Sequence, residues 1–311
     1  MSERWDITVM LGGPSAEREV SLASGWEVVG ALRSLEHRVT ELDPQPGAWS
    51  LPGRADVVFL ALHGTYGEDG TIQRELDALG VPYTGCGAEA SERAFDKVIS
   101  KRIFEFEGVP TAAFAICEEA NQEVPGFLSF PLVLKPARQG SSMGVEIVKA
   151  EVEWESAMSR VGAFGGSVLV EEFIEGREIT VGIVDNEVFP IVEVRPKSGY
   201  YDYHNKYTSA ATEYACPASF DSQLTEAINR TAKAAFKAIG GGMYARIDMI
   251  VRDQELFVLE VNTLPGMTET SLLPKSAAAA GVPFPDLCHR LAALALEESA
   301  SYRQSCVRYV V

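Results

Sequence analysis

Two apolar-rich runs between Arg246 and Asn262 flank Asp253-Gln254-Glu255, a pattern that predicts an antiparallel hairpin. With the loop centred on Gln254, Asp248 lies opposite Glu260 and Arg246 opposite Asn262, while Ile247, Met249, Val251, Phe257, Leu259 and Val261 share the other face. A two-residue loop would set Asp248 across from Leu259 and mix polar with apolar residues on both faces, so the first register is expected. Two carboxylates face to face destabilise a sheet unless positive charge sits beside them. A magnesium ion supplies it: magnesium takes hard oxygen ligands and combines one or two carboxylates with substrate phosphates, and Asn262 adds a third protein oxygen on the same face. The hairpin alone leaves open an ordinary ion-pair cluster built on Arg246 or a nearby lysine.

A second candidate is Gln139-Gly-Ser-Ser-Met-Gly144, which follows a strand ending in Lys135 and precedes another strand. Its amides and hydroxyls could line a phosphate site with Lys135 beside it; a plain glycine-rich hairpin is the alternative. It is not a Walker A loop, because the lysine precedes the glycines and no helix follows. Glu171, Glu172 and Glu178 surround Gly176 and could bind an adenine amino group and ribose hydroxyls, or simply be solvated acids. Glu17, in the first turn of a helix, either complements the helix dipole or meets a ligand. His63 opens a polar loop after a strand, where sites form.

These residues need elements to hold them. Residues 7–11 read as a buried strand, followed by Gly12-Gly13-Pro14-Ser15 and a helix over 17–35. Strands over 39–42 and 57–62 follow, the second leading into His63-Gly-Thr-Tyr-Gly-Glu-Asp-Gly70 and a further helix. That alternation predicts a parallel α/β sheet with ligands at the carboxyl ends of its strands. After a helix over 91–107 come short strands at 112–116, 131–135, 145–148 and 167–172, with a helix at 152–161. Asp185-Asn186 reads as a hairpin turn, and 197–216 as a long polar loop of the kind that is functional or disordered. The changes of pattern divide the chain into 1–92, 93–176 and 177–311.

With 311 residues, 46% of them hydrophobic, the chain can build two or three cores without disulfides or metals. The five cysteines form no C-x-x-C pair and are expected to be reduced thiols. A formal net charge of −17 argues against a nucleic-acid partner, though a small anion can still bind in a local basic pocket. The charged opening residues lack a signal peptide's apolar core and no stretch reaches transmembrane length, so a cytoplasmic protein without a membrane partner is expected.

Taken in order, Gly12-Gly-Pro-Ser-Ala-Glu-Arg-Glu-Val-Ser21, His63 to Gly70, Lys135-Pro-Ala-Arg-Gln-Gly-Ser-Ser-Met-Gly144, Lys206-Tyr207, Arg246-Ile-Asp248 and Glu260-Val-Asn-Thr-Leu-Pro-Gly-Met-Thr268 closely resemble the D-alanine-D-alanine ligase family of ATP-grasp enzymes. The resemblance spans nearly the whole chain. It implies three α/β domains with ATP between the central and C-terminal ones, and ligation of two D-alanine molecules through a D-alanyl phosphate for peptidoglycan precursor synthesis. It further implies that Lys97, Lys135, Ser142 and Lys206 meet ATP phosphates, that Glu171, Glu172, Ile174 and Glu178 hold adenosine, and that Asp248, Glu260 and Asn262 bind two magnesium ions. Manganese is the implied substitute, and a potassium requirement stays open.

By the same resemblance Glu17 and His63 bind the first D-alanine, with Ser141 and Tyr207 hydrogen-bonded around Glu17. Arg246 and the Gly266 amide stabilise the oxyanion, Ser271 and Leu272 hold the second carboxylate, and the chain forms a homodimer. Tyr207 favours D-alanine over D-lactate or D-serine as second substrate. Cys86, Phe95 and Gln139 depart from the usual family residues without removing a catalytic group. The rivals are an ATP-grasp ligase with another acceptor and a non-catalytic nucleotide-binding protein; a nicotinamide dehydrogenase is disfavoured because Gly12-Gly-Pro lacks G-x-G-x-x-G.

Overall fold

Apolar runs buried on both faces set the first layer. The computed structural model describes residues 4–118, 123–197 and 212–307. β1 (Asp6–Met10), β2 (Arg38–Leu42) and β3 (Val57–Leu60) pair in parallel in the order β2-β1-β3. Val57-Val-Phe-Leu60 is wholly buried, as a strand covered on both sides requires. Between β1 and α1 (Arg18–Ser34) the chain turns through Gly12 and Gly13, both at positive φ; their N–H groups donate to Ser21 Oγ and Asp43 Oδ1, each at 2.8 Å. α2 (Thr71–Leu79) follows the loop opened by His63.

The expected single helix over 91–107 is two. α3 (Ala88–Phe95) stops at Asp96, whose extended backbone and carboxylate cap α4 (Lys97–Glu107) by accepting from the N–H groups of Val98 and Ile99, both at 3.1 Å. The break makes Lys97 the first residue of α4.

A second sheet, β4-β7-β5-β6, is antiparallel and comprises β4 (Phe114–Cys117), β5 (Leu132–Pro136), β6 (Glu146–Val148) and β7 (Val168–Glu172). α5 (Trp154–Gly162) covers one face, packing Trp154, Met158 and Val161 on Leu132, Leu134 and Val170. The other face carries Val133, Lys135, Ile147 and Glu171 into a cavity.

The third sheet runs β11-β10-β8-β12-β13, with β9 on β8. Its strands are β8 (Arg177–Val184), β9 (Glu187–Val188), β10 (Val192–Pro196), β11 (Thr212–Ala215), β12 (Tyr244–Arg252) and β13 (Glu255–Asn262). Asp185 and Asn186 turn between β8 and β9, both at positive φ as the hairpin needs. α6 (Ser222–Ala238) buries Leu224, Ile228 and Phe236 against this sheet, joined by Ala90 and Ala94 of α3 and Phe104 of α4.

The β12–β13 hairpin keeps the predicted pairs Asp248 with Glu260 and Arg246 with Asn262, by a different route. Its turn is two residues, Asp253-Gln254, and Arg252 pairs with Glu255. A bulge at Leu259 then shifts the register between Asp248 and Met249. The buried face is therefore Ile247, Met249, Val251, Leu256, Val258 and Val261, while Phe257 and Leu259 turn away from it. The expected face was wrong for those two because residues 256–259 are all apolar and alternation gives no register.

α7 (Leu272–Ala279) precedes α8 (Phe284–Val307), which sequence pattern grouped with the third part. Packing returns it to the first: Leu287, Cys288, Leu291 and Ala292 share one core with β1, β3 and α1. Nearby, His289 stacks on Trp5 and meets His37, with Nδ1 and Nε2 2.9 Å apart. Among the described residues no helix is long and apolar enough to cross a membrane.

Replacing Asp96 removes the α4 cap. Asp96→Ala is expected to lower unfolding free energy by about 1 kcal/mol, read as a lower urea midpoint at unchanged slope.

Candidate active site

Two cavities meet at the centre of the molecule. The larger, about 810 Å³, lies between the first-layer loops, the 139–141 segment and the end of the β12–β13 hairpin. The smaller, about 320 Å³, lies between the second and third sheets. Lys97, Gln139 and Glu260 line both. Glu17, His63, Ser141, Arg246, Asn262, Gly266, Ser271 and Leu272 line the larger. Lys135, Ser142, Glu171, Glu172, Ile174, Glu178 and Asp248 line the smaller. Lys206 and Tyr207 lie outside the described residues.

On the acidic face, Arg246 forks onto Asp248 through Nε and Nη2 at 2.9 and 2.8 Å, and Thr180 donates to Oδ1 at 2.6 Å. Lys97 Nζ lies 3.5 Å from Glu260 and donates to Gln139 O at 2.6 Å. Both cations named in the ion-pair alternative are thus present. Among the described residues no three His, Cys, Asp or Glu side chains group to hold a metal. The donor set is two carboxylates facing each other with the Asn262 amide on the same strand face, which suits a hard cation that takes its remaining oxygens from phosphates.

The glycine loop is held in a conformation few side chains adopt: Ser141 and Ser142 have φ of 50° and 57°, and Gly144 71°. Phe164 and Pro136 fill the space where a Gly144 side chain would stand. Ser141 hydroxyl hydrogen-bonds the Glu17 carboxylate, joining this loop to the first layer. Cβ atoms at Gly64 and Gly140 would come within 2.6 and 2.5 Å of Glu17 Oε2, so both glycines leave room for that carboxylate.

His63 is 5% exposed, with Nδ1 3.2 Å from Glu68 and Nε2 3.2 Å from Ser24 Oγ, which also accepts from Met267 N–H. The first-layer loop is thereby tied to the Gly266 segment. Ser271 Oγ accepts from Thr268 N–H at 3.1 Å and precedes α7, whose free N–H groups favour a carboxylate.

Glu171 is 2% exposed and sits between Lys101 and Lys135, the latter at 2.5 Å. Burial opposes its charge, but the two lysines outweigh that and hold its carboxyl at about 2. Burial likewise opposes the charge on Lys135, and Glu171 outweighs it, so its ammonium is held above the ordinary value. The sequence reading missed Lys101, although it stands one helical turn after Lys97. It also missed Ser24, Glu68 and Thr180, whose roles depend on which strands become neighbours, and Leu259, which the bulge turns into the smaller cavity.

A parallel-sheet layer followed by two antiparallel sheets enclosing a cavity defines the ATP-grasp class. The family profile described as "D-ala D-ala ligase C-terminus" matches residues 103–293, and its N-terminal counterpart matches 48–86. The D-alanine--D-alanine ligase of Methylacidiphilum infernorum is 44% identical over 92% of this chain and 93% of its own. That of Syntrophotalea carbinolica is 45% identical over 92% and 95%. The crystal structure of D-alanine--D-alanine ligase from Bacillus anthracis complexed with ATP superposes with a TM-score of 0.83 at 33% identity, covering 96% of this chain and 99% of that one. The chain belongs to the D-ala D-ala ligase family.

The Glu171 carboxyl is held from its ordinary 4.5 to about 2 in the folded chain. Its contribution is therefore complete above pH 4.5 and lost as pH falls toward 2, where the unfolded chain binds the proton first. Urea denaturation at a series of pH values is expected to give a steeper loss in this window for the unaltered chain than for Glu171→Gln.

Proposed function

We propose that the protein joins two D-alanine molecules into D-alanyl-D-alanine, converting ATP to ADP and phosphate through a D-alanyl phosphate. The observation that carries the site assignment is the meeting, at Lys97 and Glu260, of the cavity lined by Glu17, His63 and Arg246 with the cavity lined by Lys135, Ile174 and Glu178. Residues 1–92, with α8 packed on their core, bind the first substrate, 93–176 cover the nucleotide, and 177–283 carry the acidic face. The reaction belongs to peptidoglycan precursor synthesis in the cytoplasm, and the protein acts as a homodimer.

ATP lies in the smaller cavity. Apolar Ile174, Leu259 and Ile250 flank the adenine, Glu178 meets the ribose, Glu171 and Glu172 stand at the adenine edge, and Lys97, Lys135 and Ser142 meet the phosphates. Lys206 joins them from the segment between β10 and β11; the expected loop over 197–216 ends earlier, because Thr212–Ala215 pairs with β10 as a strand. Asp248, Glu260 and Asn262 would hold two magnesium ions, with manganese as substitute. When bound, these ions neutralise charge on the transferred phosphoryl group.

The first D-alanine places its ammonium at Glu17 beside Ser141 and Tyr207, with His63 completing its pocket. Its carboxylate oxygen bonds to the γ-phosphorus as ADP leaves. The second D-alanine, its carboxylate at Ser271 and the Leu272 amide, attacks the acyl carbonyl through its amine. The C–O bond to phosphate then breaks, phosphate departs with its electron pair, and the nitrogen releases a proton as the amide forms. Arg246 and the Gly266 amide donate to the oxyanion formed on the way, a task suited to preorganised donors. Enclosure keeps water from the acyl phosphate.

Phosphate release from MgATP with D-alanine, compared with L-alanine, D-lactate and D-serine, tests the activity when the product is separated by chromatography. D-alanine-dependent release with dipeptide formation is expected; ATP binding without turnover on any of them would sink the ligase reading. In the same assay Arg246→Ala is expected to lower kcat by about 100- to 1000-fold.

A further inference from the structure

Lys101 touches neither the acidic face nor the larger cavity, yet it is 1% exposed and ends in a cluster no surface lysine would need. Its Nζ meets Glu171, Thr111 Oγ1 at 2.5 Å and Ala112 O at 3.5 Å. Thr111 uses its own hydroxyl hydrogen on Val258 O at 2.7 Å, so toward Lys101 it accepts. Three acceptors therefore face three N–H donors. A neutral amine, with two donors and a lone pair, would leave one of these oxygens unmatched, so the surroundings favour the ammonium, against a burial that pulls it below its ordinary value.

Glu171 and Lys135 lie on the cavity face of the second sheet, diagonal neighbours because Glu171 pairs with Val133. Alone, that pair would be electrically neutral where phosphates must bind. We infer that Lys101 is a positioning residue for the nucleotide: by occupying one side of the Glu171 carboxylate it leaves the buried triad one net positive charge, presented to the phosphates through Lys135. The same ammonium fixes the 110–112 segment, which bonds to β13 through Val258 and so aligns the second sheet with the strand carrying Glu260. This inference rests on the assignment of the smaller cavity to nucleotide.

The test compares ADP with adenosine by calorimetry, because only ADP carries phosphates. Lys101→Met is expected to weaken ADP by on the order of tenfold and to leave adenosine within about twofold. Lys101→Met/Glu171→Gln removes the carboxylate as well, leaves Lys135 beside Glu260 and Glu178, which also raise its ammonium, and should return the ADP-to-adenosine ratio to that of the unaltered chain. The double variant replaces both members of a buried pair, so it remains informative if the single one does not fold. Thr111→Val, which removes one acceptor from Lys101, should shift the ratio in the same direction by less. An unchanged ratio in Lys101→Met, or equal weakening of both ligands, would show a purely structural lysine and overturn the inference; so would a double variant whose ratio stays low. Failure of the unaltered chain to bind ADP would instead overturn the nucleotide assignment, and the inference with it.

Discussion

Asp248 and Glu260 face each other across two strands, and much of the centre of the molecule is arranged around that repulsion. Like charges at cross-strand distance are tolerated only with cations beside them. Arg246 serves Asp248 from its own strand, and Lys97, from another part of the chain, lies 3.5 Å from Glu260. Lys97 reaches it because Asp96 interrupts the helix there, because Lys97 N–H donates to Ala137 O, and because its ammonium also donates to Gln139 O. One electrostatic need thus brings together the start of α4, the strained 139–144 loop and the hairpin. Those are the parts that separate the two cavities.

The bulge at Leu259 shows how a local irregularity serves this arrangement. A regular two-residue hairpin would put Leu259 opposite Asp248 and turn Glu260 toward the core. With the extra residue, Leu259 and Glu260 both lie on the cleft side while Val258 and Val261 stay buried. An apolar wall and a carboxylate then stand side by side in the smaller cavity.

The order of strands and helices, the parallel first layer and the Asp248–Glu260 pairing were legible in the sequence because each rests on local patterning. The family's motifs carried the site further, since six segments in one order fix which loops converge. What stayed hidden depends on distant packing. Leu256 and Leu259 are chemically alike, so only the bulge decides which is buried. Asp96 resembles any acid inside a helix until its backbone is seen to be extended. α8 has an apolar face that could cover either of two sheets, and the choice is made by Leu287, Leu291 and the His289 stack at Trp5. Lys101 reads as a surface residue of an amphipathic helix until the buried carboxylate it serves is known.

That carboxylate bears on a wider difficulty. A chain with a net charge of −17 repels an anionic nucleotide at long range, and salt screens the repulsion only beyond roughly 8 Å. Attraction must therefore come from cations inside the cleft, where they are also costly to bury. Burial alone pulls a lysine toward losing its proton, whereas a lysine paired one to one with an acid carries no net charge toward the ligand. Sharing one carboxylate between two lysines answers both: Glu171 holds Lys135 above its ordinary value and opposes the burial that pulls Lys101 below its own, and with both ammoniums charged the triad carries one net positive charge. A site so built would hold phosphates by an excess of one buried cation, which composition and overall charge cannot reveal.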